Sequence, residues 1–160
     1  MIIVRSYIKV DSILSEYQDL SPRIQWTQFG NGKQTGLQYR ANEGVWDSAV
    51  GRRFMHQTSY DNLNPFFKDT IFETLINEYQ MYRTRLMWIG PYSCYSMHRD
   101  LAPRIHIPLI TNPQCYFVFR DSGIQHLSAG NVYWVDARKF HTFMNCSDQH
   151  RLHLVGMVES

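Results

Sequence analysis

The sequence predicts a mainly β protein: a sandwich or barrel of short strands with helices packed on one side. Three observations carry that expectation. From residue 84 onward, short apolar stretches follow one another: "RTRLMWIG", "YSCYSMH", "RIHIPLI", "CYFVFR", "NVYWVD", "FHTFMN" and "HRLHLVGMV". Strands at such spacing build sandwiches and barrels. Turn-formers separate them, namely Gly90-Pro91, Asn112-Pro113, Asp121-Ser122-Gly123, Ala129-Gly130 and the run 145–148, all suited to tight backbone reversal. Aromatic residues are also abundant, with 4 Trp, 10 Tyr and 9 Phe, side chains that favour a pleated, half-buried surface.

The elements follow in order. Residues 2–8 read as an edge strand. Asp11 is placed to cap a short helix whose Ile13, Leu14, Tyr17 and Leu20 share one face, and Ser21-Pro22 should stop it. Residues 30–62 are rich in Gly, Asn, Gln and Ser. In them "FGNGKQTG" signals a turn, a strand is expected near 37–40, and a mobile loop over a site could lie here. Asn64 suits an N-cap and Pro65 the first helical position. A second helix is therefore expected from there, with Phe67, Ile71, Leu75 and Tyr79, spaced by four, packing on a sheet as core. The strands then run to the end. Residues 1–160 are expected to form one domain, with the barrel core over roughly 84–158.

Composition narrows the function classes. With 44% hydrophobic and 19% charged residues, the chain is globular rather than disordered. A net charge of +2, with no basic stripe, gives no support to nucleic-acid binding. No apolar run reaches the length of a membrane span. The start, "MIIVRSYIKVDS", lacks a basic n-region and reads as a strand, not a signal peptide. Cys94, Cys115 and Cys146 are odd in number without CxxC spacing, which argues for reduced thiols in a cytoplasmic setting rather than a disulfide framework or a zinc ribbon.

Chemistry concentrates in "SMHRDLAPRIHIPLI" and in the last strand. Successive side chains on a strand point to opposite faces, so Arg104, His106 and Pro108 share one face and Ile105, Ile107 and Leu109 the other. Arg151 and His153 repeat this pattern against Leu152 and Leu154. Two Arg-x-His faces opposite two apolar faces line either a polar concavity or the solvent. His98 and Asp100 add an imidazole and a carboxylate at a strand end, two of the three ligands of a 2-His-1-carboxylate site for ferrous iron. A third histidine must come from a distant strand, and His141, following Gly130 and Trp134 in "GNVYWVDARKFH", is the candidate. His56, His126 and His150 read as surface or turn residues, and Arg52-Arg53 as a solvated turn that could also reach a substrate carboxylate. Cys94 is expected to point away, because a thiol beside an oxidising metal centre would itself be oxidised.

In the order "HRD", "RIHIPL", "GNVYWVD", "FHTFMN" and "HRLHLVG", over about residues 84–158, the chain resembles the aspartyl/asparaginyl β-hydroxylase family of iron(II)- and 2-oxoglutarate-dependent dioxygenases. The resemblance implies a double-stranded β-helix, jelly-roll or cupin-like, with packing helices mostly from the N-terminal half. It implies iron held by His98, Asp100 and His141, and Arg151 receiving the far carboxylate of 2-oxoglutarate. Arg104 and His106 match residues near the metal that contact the other end of the cosubstrate or an acidic or carboxylate-bearing substrate. Asn145 matches a turn or supporting position, and His153 and Trp134 are further candidates for support behind the ligands. A ligating Asp100 fills the position that halogenating relatives leave for chloride, which implies hydroxylation. The family serine that helps bind the far carboxylate falls near Met87, so that interaction is either absent here or supplied by another group such as a tyrosine. The implied partners are an amino acid, free or within a peptide, and molecular oxygen. Two other readings stay open: a metal-binding cupin with a different reaction, and a non-catalytic β-barrel binding module.

Overall fold

The computed structural model describes residues 1–51 and 56–159. Strand β1 (Ile2–Tyr7) leads into helix α1 (Val10–Leu20), a 3-10 turn at Ser21–Arg23, the hairpin β2 (Thr27–Phe29) and β3 (Gly32–Gly36), and β4 (Gln38–Tyr39). A second 3-10 turn at Gln57–Ser59 precedes β5 (Asn62–Leu63), and after it come a third at Pro65–Phe67 and helix α2 (Ile71–Glu78). The remaining strands are β6 (Tyr82–Ile89), β7 (Ser93–Cys94), β8 (Arg104–Ile110), β9 (Cys115–Phe119), β10 (Gly123–His126), β11 (Asn131–Val135), β12 (His141–Asn145) and β13 (Arg151–Met157).

Two large antiparallel sheets and a small β4-β5 pair result among the described residues. The larger runs β1-β11-β8-β13-β6-β3-β2 and the smaller β10-β9-β12-β7. From β8 to β13 the chain passes back and forth between them, which is the winding of a double-stranded β-helix. The sheets face each other as an open sandwich rather than a closed barrel. Ile89, Tyr133 and Val135 of the large sheet meet Cys115, Phe117, Phe119 and Phe143 of the small one between the layers. On the outer face of the large sheet, Leu86, Ile105, Ile107, Leu109, Leu152 and Leu154 bury against α1 and α2. The alternation in "RIHIPLI" and "RLHLVGM" thus divides an apolar, helix-covered face from an inner face rich in Arg and His.

The helices depart from expectation in detail. Lys9, not Asp11, occupies the N-cap of α1, and no side chain caps it; Asp11 lies within the first turn, where its charge suits the helix dipole. Ile8 N donates to Gly130 O at 2.9 Å, so the chain is pinned to the sheet edge and enters the helix early. Ile13, Tyr17 and Leu20 are buried and Leu14 half-buried. The single helix expected from Asn64 is two elements. Asn64 Oδ1 accepts from Phe66 N at 3.1 Å and caps only the 3-10 turn, while its amide donates to Gly36 O and Val45 O at 3.1 and 3.3 Å. The backbone then extends at Lys68, takes a positive φ of 60° at Asp69 and restarts from Thr70. Glu16 of α1 accepts from Ile71 N at 2.9 Å, satisfying a donor at the new helix start. The buried face of α2 is therefore Phe72, Leu75 and Ile76, with Ile71 and Tyr79 at its margin and Phe67 edge-on to Phe72 at 5.7 Å.

The strand at 38–39 lies within the expected stretch, but the β2–β3 hairpin, foreseen only as a turn, extends the large sheet outside 84–158. Gly32 permits it: a Cβ there would lie 2.0 Å from the carbonyl oxygen of Trp88 on β6. The docked hairpin brings Gln34 opposite Met87 on the inner face.

Candidate metal centre and its cavity

His98 and His141 are brought together by backbone before side chains are considered. His98 N donates to His141 O at 2.9 Å and His141 N to His98 O at 2.8 Å, fastening the segment after β7 to the start of β12. Asp100 N donates to Ala137 O at 2.8 Å and fixes the carboxylate beside them. One ligating atom from each of His98, Asp100 and His141 lies within 4.8 Å of the others. Both histidines direct Nδ1 at a carbonyl, Ser96 O at 2.7 Å and Lys139 O at 2.8 Å. A carbonyl only accepts, so each Nδ1 carries a proton, and in the neutral ring Nε2 is the atom left with a lone pair for a metal. Phe117 stacks on His141 at 5.0 Å and 20°, fixing the ring plane.

Charge follows from burial and neighbours. Burial pushes the pKa of His141 down, which favours the neutral, ligating form. Burial alone would raise the Asp100 carboxyl. Arg104, whose Nε donates to Asp100 Oδ2 at 3.1 Å, together with the charge of Arg85 and then His141, outweighs it and holds the carboxyl at about 2. Two imidazoles and an ionised carboxylate are a donor set that fits a ferrous ion with open positions.

These groups border a cavity of about 500 Å³ between the sheets. Arg104 and Arg151 are each 2% exposed, His106 8% and His153 0%, so the two Arg-x-His faces do not point to solvent. Arg151 lies over the Phe143 ring, 3.4 Å from its centroid, and Nη2 donates to His153 Nδ1. Among the described residues its Nε is buried without a partner, as are the Tyr95 hydroxyl and His106 Nδ1. Burial also pulls the Arg151 pKa down, to about 9. A buried cation with an open donor, facing a cavity, is arranged to meet an anion.

The other candidates separate cleanly. Met87, Tyr95, Arg104, His106 and Arg151 line the cavity, whereas His153 stands behind Arg151 and orients it. Asn145 organises the turn before β13: its amide donates to Gly90 O at 2.9 Å and Gln149 O at 2.7 Å, and its Oδ1 accepts from Ser147 Oγ at 2.7 Å. Trp134 packs with the helix-side core, on the face of β11 away from the cavity. His56 and His150 are exposed. His126 is half-buried, with Nδ1 against Cys115 O at 2.9 Å. Cys94 is exposed and does not line the cavity. Arg52 and Arg53 lie outside the described residues, although Gly51 and Gln57 on either side line the cavity.

Sequence reasoning missed Gln34, Arg85 and Phe117. Arg85 alternates with Met87 and Ile89 in "RTRLMWI", so strand periodicity carried its signal. Gln34 lay in a stretch too poor in β-formers to read as a strand.

The family model for aspartyl/asparaginyl β-hydroxylase matches residues 9–160, and the chain belongs to that family. Among solved structures it is similar to an oxidoreductase of the 2OG-Fe(II) oxygenase family from Burkholderia pseudomallei, at 13% identity and a TM-score of 0.57, over 90% of this chain and 76% of that one. It is also similar to a prolyl-4-hydroxylase from Pseudomonas putida, at 10% identity and a TM-score of 0.52, over 98% of this chain and 90% of that one. At these identities the likeness establishes the fold. No curated protein matches the chain.

Proposed function

We propose that the protein is an iron(II)- and 2-oxoglutarate-dependent hydroxylase of an amino acid, free or within a peptide. The observation that carries this reading is the convergence of His98, Asp100 and His141 on a cavity whose inner wall also holds the buried, open-donor Arg151. The family membership and the fold support it. When bound, iron and 2-oxoglutarate would, with molecular oxygen as oxidant, supply oxidative decarboxylation to succinate and CO2 coupled to hydroxylation of a C–H bond.

The chain's own residues do the positioning. His98, Asp100 and His141 would hold the metal through two Nε2 atoms and the Asp100 oxygen not engaged by Arg104. Arg151 would receive the far carboxylate, with His153 and Phe143 holding the guanidinium in plane. The Tyr95 hydroxyl is a candidate for the hydrogen bond to that carboxylate that Met87 cannot make. His106, kept neutral mainly by burial and then by the nearby charge of Arg151, offers Nδ1 to the metal-proximal end of the cosubstrate. Phe117, Phe143 and Val155 supply an apolar lining that limits water around the reacting carbon. Asp100 as a ligand favours hydroxylation over halogenation. Among the described residues no helix is long and apolar enough to cross a membrane, and the three free cysteines suit the reducing cytoplasm we propose as its location.

The test is metal binding under anaerobic conditions. The protein should bind one ferrous ion, and His98→Ala and His141→Ala should each abolish it. Full-affinity binding by both variants would refute the ligand assignment. Metal binding without uptake of 2-oxoglutarate would favour a cupin with another reaction.

A further inference from the structure

The small sheet has a second face that the cavity does not use. Cys115, Phe117, Phe119 and Phe143 point into the core between the sheets, so by strand alternation Tyr116 of β9 and Met144 of β12 point outward. Cys94 of β7 pairs directly with Met144 and shares that outer face. Cys146 N donates to Gln114 O at 3.0 Å, so the ladder runs one residue past β12 and sets Cys146 next to Met144 on the same face. Both cysteines are exposed and Met144 is half-buried. Three sulfur side chains are therefore neighbours on the surface, and the metal centre uses none of them.

Backbone pairing sets their spacing. Tyr95 N donates to Phe143 O and Cys146 N to Gln114 O, so Met144 turns its backbone toward β9 and not toward β7. Cys94 and Met144 are thus a non-hydrogen-bonded pair, the kind whose side chains stand closest, with Cβ atoms about 4.5–5.5 Å apart. Cys94 and Cys146 are diagonal neighbours, about 7–8 Å apart. A disulfide needs Cα atoms within about 6.8 Å, so these thiols cannot join without backbone movement. A metal ion between them, about 2.3 Å from each sulfur, spans the gap. The donors select the ion. Among the described residues the only group of three or more His, Cys, Asp and Glu donors is His98, Asp100 and His141. The cysteine pair therefore has no imidazole or carboxylate to complete a four-coordinate zinc site, and its third donor is the Met144 thioether. Two thiolates and a thioether suit copper(I).

We propose that Cys94, Met144 and Cys146 form a three-coordinate copper(I) site on the outer face of the small sheet. On binding, the two thiols release their protons to solvent and copper stays in the +1 state. β7 is a two-residue strand that leads to His98, and β12 opens with His141. Copper joins β7 to β12 and so staples together the two segments that carry the histidines. The site is independent of the hydroxylase reading.

The test titrates copper(I) into the full chain under anaerobic, reducing conditions against the chelator bathocuproine disulfonate, whose absorbance reports the copper it holds. Imidazoles can also take copper, so the titration is run in parallel on the His98→Ala/His141→Ala double variant. Both proteins should hold one copper(I) at the sulfur site against the chelator. X-ray absorption of the double variant should show sulfur neighbours at about 2.3 Å and no nitrogen. In that background Cys94→Ser and Cys146→Ser should each weaken binding about a hundredfold or more, the gain that tethering two ligands supplies. Met144→Leu should give a smaller loss. Copper should raise the Tm of the parent by mass action and leave that of Cys146→Ser unmoved. The site is overturned if the double variant yields all its copper to the chelator, or if its copper has nitrogen neighbours. Affinity unchanged in either cysteine variant or in Met144→Leu overturns it too, as does copper that links two chains, seen as half an equivalent per chain and a dimer on size exclusion. A Tm unmoved by bound copper would overturn the stapling of β7 to β12.

Discussion

Replacing Arg151 by alanine should separate cosubstrate capture from metal binding. The guanidinium is 2% exposed, rests on Phe143 and is oriented by His153, with Nε open. It is thus held in place before any ligand arrives, and little ordering cost offsets the pairing. Breaking a buried, hydrogen-bonded charge pair typically costs about 2–5 kcal/mol, or roughly 30- to 4,000-fold in Kd at about 1.4 kcal/mol per tenfold. The metal ligands lie on other segments, so ferrous affinity should hold. Arg151→Lys should recover only part of the loss, because an ammonium cannot offer the planar fork. The assay is an anaerobic titration of 2-oxoglutarate into iron-loaded protein, followed by the charge-transfer absorption of the complex. Unchanged 2-oxoglutarate affinity in Arg151→Ala would refute the assignment of the far-carboxylate site.

Two further outcomes follow from packing and protonation. Leu75, 4% exposed beneath α2, should cost about 2–5 kcal/mol when cut to alanine, measured by urea unfolding; a loss under roughly 0.5 kcal/mol would place it at the surface. Burial, reinforced by Arg151, holds His106 and His153 well below their ordinary pKa. The folded metal-free protein therefore keeps them neutral while the unfolded chain takes up protons below about pH 6.5. Stability should be flat above that pH and fall below it by about 1.4 kcal/mol per pH unit for each histidine. Asp100, whose folded pKa is about 2, adds a loss of the same sign only below about pH 4. Urea midpoints that rise on acidification from pH 7 to 5 would contradict buried neutral histidines.

Much of the site was legible because its signals are local or periodic. His-x-Asp fixes two donors within three residues, and the alternation in "RIHIPL" and "RLHLVG" assigns faces without tertiary knowledge. Trp134 was misjudged as support although the same alternation, applied to "NVYWV", puts it opposite Tyr133 and Val135, on the helix side. What stayed hidden depended on long-range pairing. The β2–β3 hairpin is strand because β6 pairs with it, and Gly32 admits β6 by having no side chain; neither fact is local. The split of the second helix likewise arises from partners distant in sequence. Asn64 spends its amide on Gly36 and Val45, and Glu16 supplies the acceptor at Ile71.

The most direct test of the central claim is succinate formation from 2-oxoglutarate in air by the iron-loaded protein, with and without added amino acids, beside His141→Ala. The account predicts iron-dependent succinate from the parent, stimulated by the substrate, and none from the variant. Succinate absent from a parent that holds iron and 2-oxoglutarate under every substrate tried, or equal in parent and variant, would contradict it.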